Sequence, residues 1–308
     1  MLYFFMDVGS IILIVFGLCL FEIVSSIDNA VVNAEVLSTM SPKGRKWFLV
    51  WGLLFGVFLV RGLLPWLIIW GANPTLGPIK AFLAAFSKNP SIFDSVEKSA
   101  PMLLIGGAIF LIFLFLHWLF LEDKEFGLQI EKFFVKNGVW FFTCVSVILC
   151  VVVWFAIKIN PLIAFGATIG AAAFFITDGF KEHAAKAELE MKNAKSMSDF
   201  SKLVYLEILD ATFSIDGVIG AFAFTLSVPL IILGNGLGSF IVRQLTIKGT
   251  DQIKKYIFLK NGAMYSILFL SMIMFLDGFG YDIPAFISPL ITFGVVAFFF
   301  WKSLEKKK

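Results

Sequence analysis

Between Pro101 and Phe120 the chain runs for 20 residues without one Asp, Glu, Lys or Arg. An apolar helix of about that length is what the hydrocarbon core of a bilayer demands. Runs of this kind recur at roughly 9–39, 47–70, 101–120, 139–157, 161–180, 203–226, 228–247, 260–277 and 284–301. They leave no stretch for a separate soluble domain, so residues 1–308 read as one all-α polytopic transmembrane domain of about nine helices. With 59% hydrophobic and only 15% charged residues, the composition excludes an ordinary soluble fold.

Basic residues orient the spans. Nine crossings put 19 Lys and Arg on one side, from Lys43, Arg45 and Lys46 in the first loop to Lys302, Lys306, Lys307 and Lys308 in the tail. The other side holds Lys80, Lys88, Lys98 and Lys158. That asymmetry predicts an N-terminus outside, a C-terminus in the cytoplasm and residence in the cell's inner (plasma) membrane. The N-terminal run lacks the basic flank and the small-residue cleavage site of a signal peptide and is expected to stay as the first span. Lipid and a transported solute are the expected partners, not nucleic acid; a homodimer stays open. Cys19, Cys144 and Cys150 sit in apolar runs with no metal-binding spacing and read as small core hydrophobes. Trp47, Trp66, Trp70, Trp118, Trp140 and Trp301 lie near span ends, as interfacial anchors do. The Lys-, Glu- and Ala-rich stretch 181–202 reads as a cytoplasmic linker helix.

Two apolar runs nevertheless carry acids, in related contexts. FEIVSSIDN at 21–29 aligns with LDATFSIDG at 209–217, so that Glu22 matches Asp210 and Asp28 matches Asp216. The following runs, GLLFGVFLVR at 52–61 and GNGLGSFIVR at 234–243, share Gly, Gly, Phe, Val and Arg at the same spacing. These blocks open the first and sixth spans, which cross in opposite directions. The chain therefore reads as two inverted repeats, about 9–157 and 161–301, the plan of many secondary transporters.

A charged side chain near mid-bilayer costs about 3 kcal/mol even on the mildest scale. Glu22, Asp28, Arg61, Glu207, Asp210, Asp216 and Arg243 must therefore be paired, protonated, hydrated or bound to something. In an unbroken helix, residues six apart face directions about 120° apart. Converging the four acids Glu22, Asp28, Asp210 and Asp216 requires breaks at Ser-Ile-Asp-Asn and Ser-Ile-Asp-Gly, and two broken helices are predicted there. The carboxylates, with Asn29 and Asn235 as neutral donors and Glu207 beside Asp210, make an all-oxygen set suited to hard divalent ions: Mn2+, and also Ca2+ or Mg2+. Arg61 and Arg243 would balance charge in the empty site. Ser26, Ser214, Thr212 and Glu35 are candidates for an access path. His117 and His183 lie toward span ends, away from this set.

The E-x5-D-N of the first span, the E-x2-D-x5-D of LEILDATFSIDG, and the Asn and Arg of GNGLGSFIVR resemble the TerC family of bacterial membrane proteins, in the superfamily of the lysine exporter LysE. Gly217 and the long segment 71–100 point to a divergent branch. The resemblance implies divalent-metal homeostasis, foremost Mn2+ export, with Glu22, Asp28, Asn29, Glu207, Asp210, Asp216 and Asn235 at the acidic and amide positions and Arg61 and Arg243 at the arginines. No enzymatic activity and no prosthetic group are expected, the metal being substrate. Three alternatives stay open: export of an amino acid or other organic cation, an intramembrane aspartyl protease using Asp28 and Asp216, and a scaffold held by buried ion pairs.

Overall fold

The structure, a computed structural model, describes residues 8–52, 54–55, 61–72, 77–86, 90–124, 127–193, 198–248 and 256–305. Within these, the side chains of Asp28, Asn29, Val32, Ile69, Ala72, Phe213 and Lys248, and of residues 83–86, 90–97 and 184–193, are not described. All regular structure among the described residues is helical: α1 Val8–Ser25, α2 Ile27–Ser38, α3 Pro42–Trp47 running into a π-helical turn Phe48–Gly52, α4 Arg61–Ala72, α5 Pro78–Phe86, α6 Pro90–Leu121, α7 Gln129–Lys136, α8 Phe141–Ile159, α9 Pro161–Asn193, α10 Asp199–Ala221, α11 Val228–Lys248, α12 Leu259–Gly278 and α13 Ile287–Glu305.

Seven helical segments are long and apolar enough to cross a membrane: Val8–Ser25, Lys98–Leu121, Gly138–Ile159, Pro161–His183, Val228–Ile247, Leu259–Gly278 and Ile287–Glu305. The chain is an all-α polytopic membrane protein. The nine expected spans exceed these seven at two places. The run 47–70 falls partly outside the described residues, and α10, 23 residues long, carries Lys202, Glu207, Asp210 and Asp216. Apolarity alone therefore does not mark α10. Asn160 separates α8 from α9, its side-chain carbonyl accepting from Leu162 N at 2.9 Å, so the fourth and fifth expected spans are distinct helices. Helix α9 continues unbroken to Asn193, so residues 181–193 of the expected linker helix are its extension, while 199–202 open α10 and 194–197 lie outside the described residues.

α6 forms the core. Ile105, Ala108, Ile109, Phe110, Leu111 and Phe113 are fully or almost fully buried, and the helix packs against α9 and α12. Along the α6–α9 seam the backbones meet. A Cβ on Gly106 would lie 2.8 Å from the Gly166 carbonyl oxygen, and one on Gly170 2.9 Å from Gly106 Cα. α8 lies outermost and exposes Phe142, Val147, Val151, Trp154 and Phe155, the apolar exterior expected where lipid replaces water as solvent. Trp118 is no interfacial anchor. It is 1% exposed and edge-on to Tyr265 with centroids 5.9 Å apart, because it lies on the face of α6 that α12 covers.

α1 packs on α11, and α4 on α10. Under the sequence repeat these two pairs exchange, first span with seventh and second with sixth. The small residues sit at the first crossing: a Cβ on Gly238 would lie 2.7 Å from the Cys19 carbonyl oxygen, and one on Gly234 3.1 Å from that of Val15. Gly56 lies outside the described residues.

Only one expected interruption occurs, and it is mild. Ser26 leaves helical geometry at φ −94°, ψ 4°, yet Ser26 N still bonds Glu22 O at 3.1 Å and Ala30 N bonds Ser26 O at 3.0 Å. Two bonds of the helical ladder thus run through the interruption. The second break is absent: α10 passes through Ser214-Ile215-Asp216-Gly217 and ends at Ala221. The break was expected in order to turn Asp216 toward Asp210, and the structure instead supplies Asp216 with its own partner on a different helix.

Candidate functional site

Where α1, α4, α10 and α11 meet, three carboxylates surround two guanidiniums. Arg61, the first described residue of α4 and 2% exposed, donates from Nη2 to Glu22 Oε1 at 2.5 Å; its Nη1 lies 3.9 Å from Asp210 Oδ2. Arg243 of α11 spans Glu207 with both nitrogens, at 3.0 and 3.2 Å, and reaches Asp210 Oδ2 at 2.9 Å and the Phe48 carbonyl at 2.9 Å. Its guanidinium also lies over the Phe48 ring, 4.3 Å from the centroid. Such forked, charge-assisted bonds fix both partners. Gly52 makes room for them, since a Cβ there would lie 2.9 Å from the Glu207 carboxyl carbon.

Glu22 accepts further bonds from Ser26 Oγ, one helical turn on, and Ser239 Oγ of α11, each at 3.0 Å. The faces carrying these groups continue as Glu22, Ser26 and Asn33 on α1–α2 and as Ser239, Arg243 and Thr246 on α11. Together they line a cavity with room for about one water. Glu22, Asp210, Arg61 and Arg243 are its charged walls, and Glu207, bound to Arg243 behind the wall, brings the ionised network to three negative and two positive charges.

The remaining sequence candidates divide. Glu207 and Asp210, three apart on α10, share a face and meet at Arg243 as their spacing requires. Asp216 does not join them. It faces α9, where Lys181 donates to its Oδ2, and its Oδ1 is buried with no hydrogen bond among the described residues. Of the four acids expected to converge, Glu22 and Asp210 share the arginine network and Asp216 stands apart, and no group of three or more His, Cys, Asp or Glu able to hold a metal forms among the described residues. The side chains of Asp28 and Asn29 lie outside that set, so only their place on α2 is described. Asn235 is wholly buried with neither amide atom hydrogen-bonded among the described residues; it stands one turn before Ser239 on the same face of α11. Ser26 lines the cavity as expected. Thr212 and Ser214 do not: their hydroxyls donate to the carbonyls of Ile208 and Asp210 on their own helix. Glu35 is exposed near the end of α2. His117 pairs with Asp178 at 3.4 Å, and His183 is exposed.

Sequence reasoning passed over Lys181, counted among loop lysines, and Ser239 and Asn33, which lack charge. Ser239 was findable, since it sits four residues from both Asn235 and Arg243. A buried acid outside this network, Glu131 of α7, was also missed. It is 0% exposed and accepts from Leu128 N at 2.8 Å and from Asn261 Nδ2 at 2.9 and 2.8 Å, fastening the loop after α6 to α12. In that loop burial pushes the Lys124 ammonium down to about 8, against the raising effect of nearby Glu122. Lys124 donates to the carbonyls of Trp118 and Glu122 and lies over the Trp118 ring.

A search of the curated proteins finds no match, and a search of the solved structures finds none either. A family model described as "Protein of unknown function (DUF475)" matches residues 27–308, a span holding α2 through α13 and every network residue except Glu22 and Ser26. The chain therefore belongs to the DUF475 family.

Proposed function

We propose that this protein is a secondary transporter, not an enzyme, that exports a divalent metal cation, Mn2+ first, across the cell's plasma (inner) membrane, with its N-terminus outside and its C-terminus cytoplasmic. One observation carries the reading: the buried ion-pair network around the cavity between α1, α4, α10 and α11 holds three carboxylates, Glu22, Glu207 and Asp210, against two guanidiniums, Arg61 and Arg243. An unmatched carboxylate in a dry interior is strongly unfavourable, so it takes up a proton or a cation. A group that alternates between the two is what proton-coupled cation export needs.

The donors are oxygens, which select hard ions. A cavity with room for about one water suits a small inorganic ion better than an amino acid or organic cation. The resemblance to the TerC family points the same way. In the empty state the arginines hold Glu22, Glu207 and Asp210. When the repeats rock about the α1–α11 and α4–α10 contacts, those carboxylates, with Asp28 and Asp216 of the paired motifs, become available to the metal.

The test is Mn2+ efflux from proteoliposomes, wild type against Glu22→Gln, Asp28→Asn and Asp216→Asn. Folded variants that lose efflux support the reading. A wild type that moves none of Mn2+, Ca2+ or Mg2+, or folded variants that move Mn2+ as well as wild type, would overturn it.

A further inference from the structure

We propose that Lys181 is a tethered surrogate for the transported cation: its ammonium occupies the Asp216 carboxylate while the site is empty and withdraws when a metal ion binds there. The inference rests on the cation-transport reading and names the device that guards its second acidic motif.

Three features of the pair set it apart from the arginine network. First, the base is a lysine. Arg243 grips Glu207 through a planar fork and Arg61 holds Glu22 from a rigid guanidinium, whereas a lysine holds by one point charge on a flexible four-carbon stem. Second, the acid is only half used. Lys181 serves Oδ2, and Oδ1 is buried with no hydrogen-bond partner among the described residues, although the side chain is only 15% exposed. A pair retained for the fold alone would satisfy both oxygens; a carboxylate with a spare buried oxygen is ready for a ligand with more than one coordination site. Third, the ammonium has somewhere to go. Asp178, paired with His117 at 3.4 Å and 35% exposed, lies three residues earlier on the same face of α9 and offers a second carboxylate to the stem. Lys181 stands two residues before the end of the apolar stretch Pro161–His183, where α9 turns polar.

The arithmetic of competition fixes the expected effect. If the ammonium holds Asp216 nine-tenths of the time, removing it tightens apparent metal affinity about tenfold. Mn2+ binding to the purified full-length protein in detergent, read from the free-ion electron paramagnetic resonance signal, is compared across wild type, Lys181→Met, Lys181→Arg and Lys181→Met/Asp216→Asn. The expected order is tighter binding in Lys181→Met by up to about tenfold, no gain in Lys181→Arg, and loss of the gain in the double variant. In unmodified protein, Mn2+ should also raise the rate at which an amine reagent labels Lys181, followed by mass spectrometry, a readout that stands even if Lys181→Met fails to fold. Mn2+ bound with unchanged or weaker affinity by folded Lys181→Met, or labelling of Lys181 indifferent to bound Mn2+, overturns this proposal while leaving the transport reading in place. Absence of Mn2+ binding in wild type and Lys181→Met alike overturns both.

Discussion

Replacing Arg243 by methionine keeps an unbranched apolar stem and removes the charge on which two acids converge. Arg243 is 4% exposed and supplies four hydrogen bonds, two to Glu207, one to Asp210 and one to the Phe48 carbonyl. In Arg243→Met three carboxylates face one guanidinium, and Arg61 reaches Asp210 only at 3.9 Å. Stripping one partner from a buried ion pair costs about 3–5 kcal/mol, because the remaining charge stays desolvated. At about 2–4 °C per kcal/mol for a chain of a few hundred residues, the midpoint should fall by roughly 6–20 °C. The assay is thermal unfolding in detergent followed by tryptophan fluorescence, to which buried Trp118 contributes. Glu207→Gln alone should cost less than Arg243→Met, and the double variant should recover stability, with a coupling of roughly 2–3 kcal/mol. A single-variant shift of under 2 °C, or purely additive effects, would refute the claim that these charges depend on one another.

Other expectations follow from the same geometry. Gly238→Ala places a methyl 2.6 Å from Glu22 Cβ and 2.7 Å from a backbone oxygen, so it should destabilise by about 1–3 kcal/mol. Gly71→Ala meets nothing within 4 Å on α4 and should instead stabilise by roughly 0.5–1 kcal/mol, both read by the same melts. Asn261→Ala removes the donor to both oxygens of buried Glu131 and should cost about 1–3 kcal/mol, recovered in part when Glu131→Leu removes the acceptor too. Lys124 is held at about 8, below its ordinary value of 10.5, so between those values the unfolded chain binds more protons than the folded one. Wild-type stability should therefore rise across that window relative to Lys124→Met, and parallel melting curves from pH 7 to about 10.5 would contradict it.

The parts of this molecule legible in the sequence are those governed by periodicity and charge spacing. The apolar runs located the membrane helices because a bilayer fixes their length, and the three-residue spacing of Glu207 and Asp210 put both on one face. What escaped depended on contacts between helices distant in sequence. Asp216 was steered toward the other acids by a break that α10 does not make, since no local pattern reveals that α9 offers Lys181 across the interface. Trp118 lies near a span end by position, yet α12 closes over it. Ser239 and Asn33 carry no charge and stand out only once the facing helix is in place. Glu131 looked like a solvated loop acid until Asn261, 130 residues away, was found covering it.

The seam between α6 and α9 has a different kind of consequence. Where Gly106, Gly166 and Gly170 bring two backbones together, every amino acid other than glycine begins with the one carbon for which there is no space. Three codons are thus closed to gradual change: no smaller residue exists to retreat to, and no single larger one fits. The seam should appear in a saturation-mutagenesis map as three silent columns amid the permissive, lipid-facing phenylalanines of α8. Sequence drift in this membrane protein would then proceed at its greasy exterior while the seam of α6 and α9 stays locked to the alphabet's simplest letter.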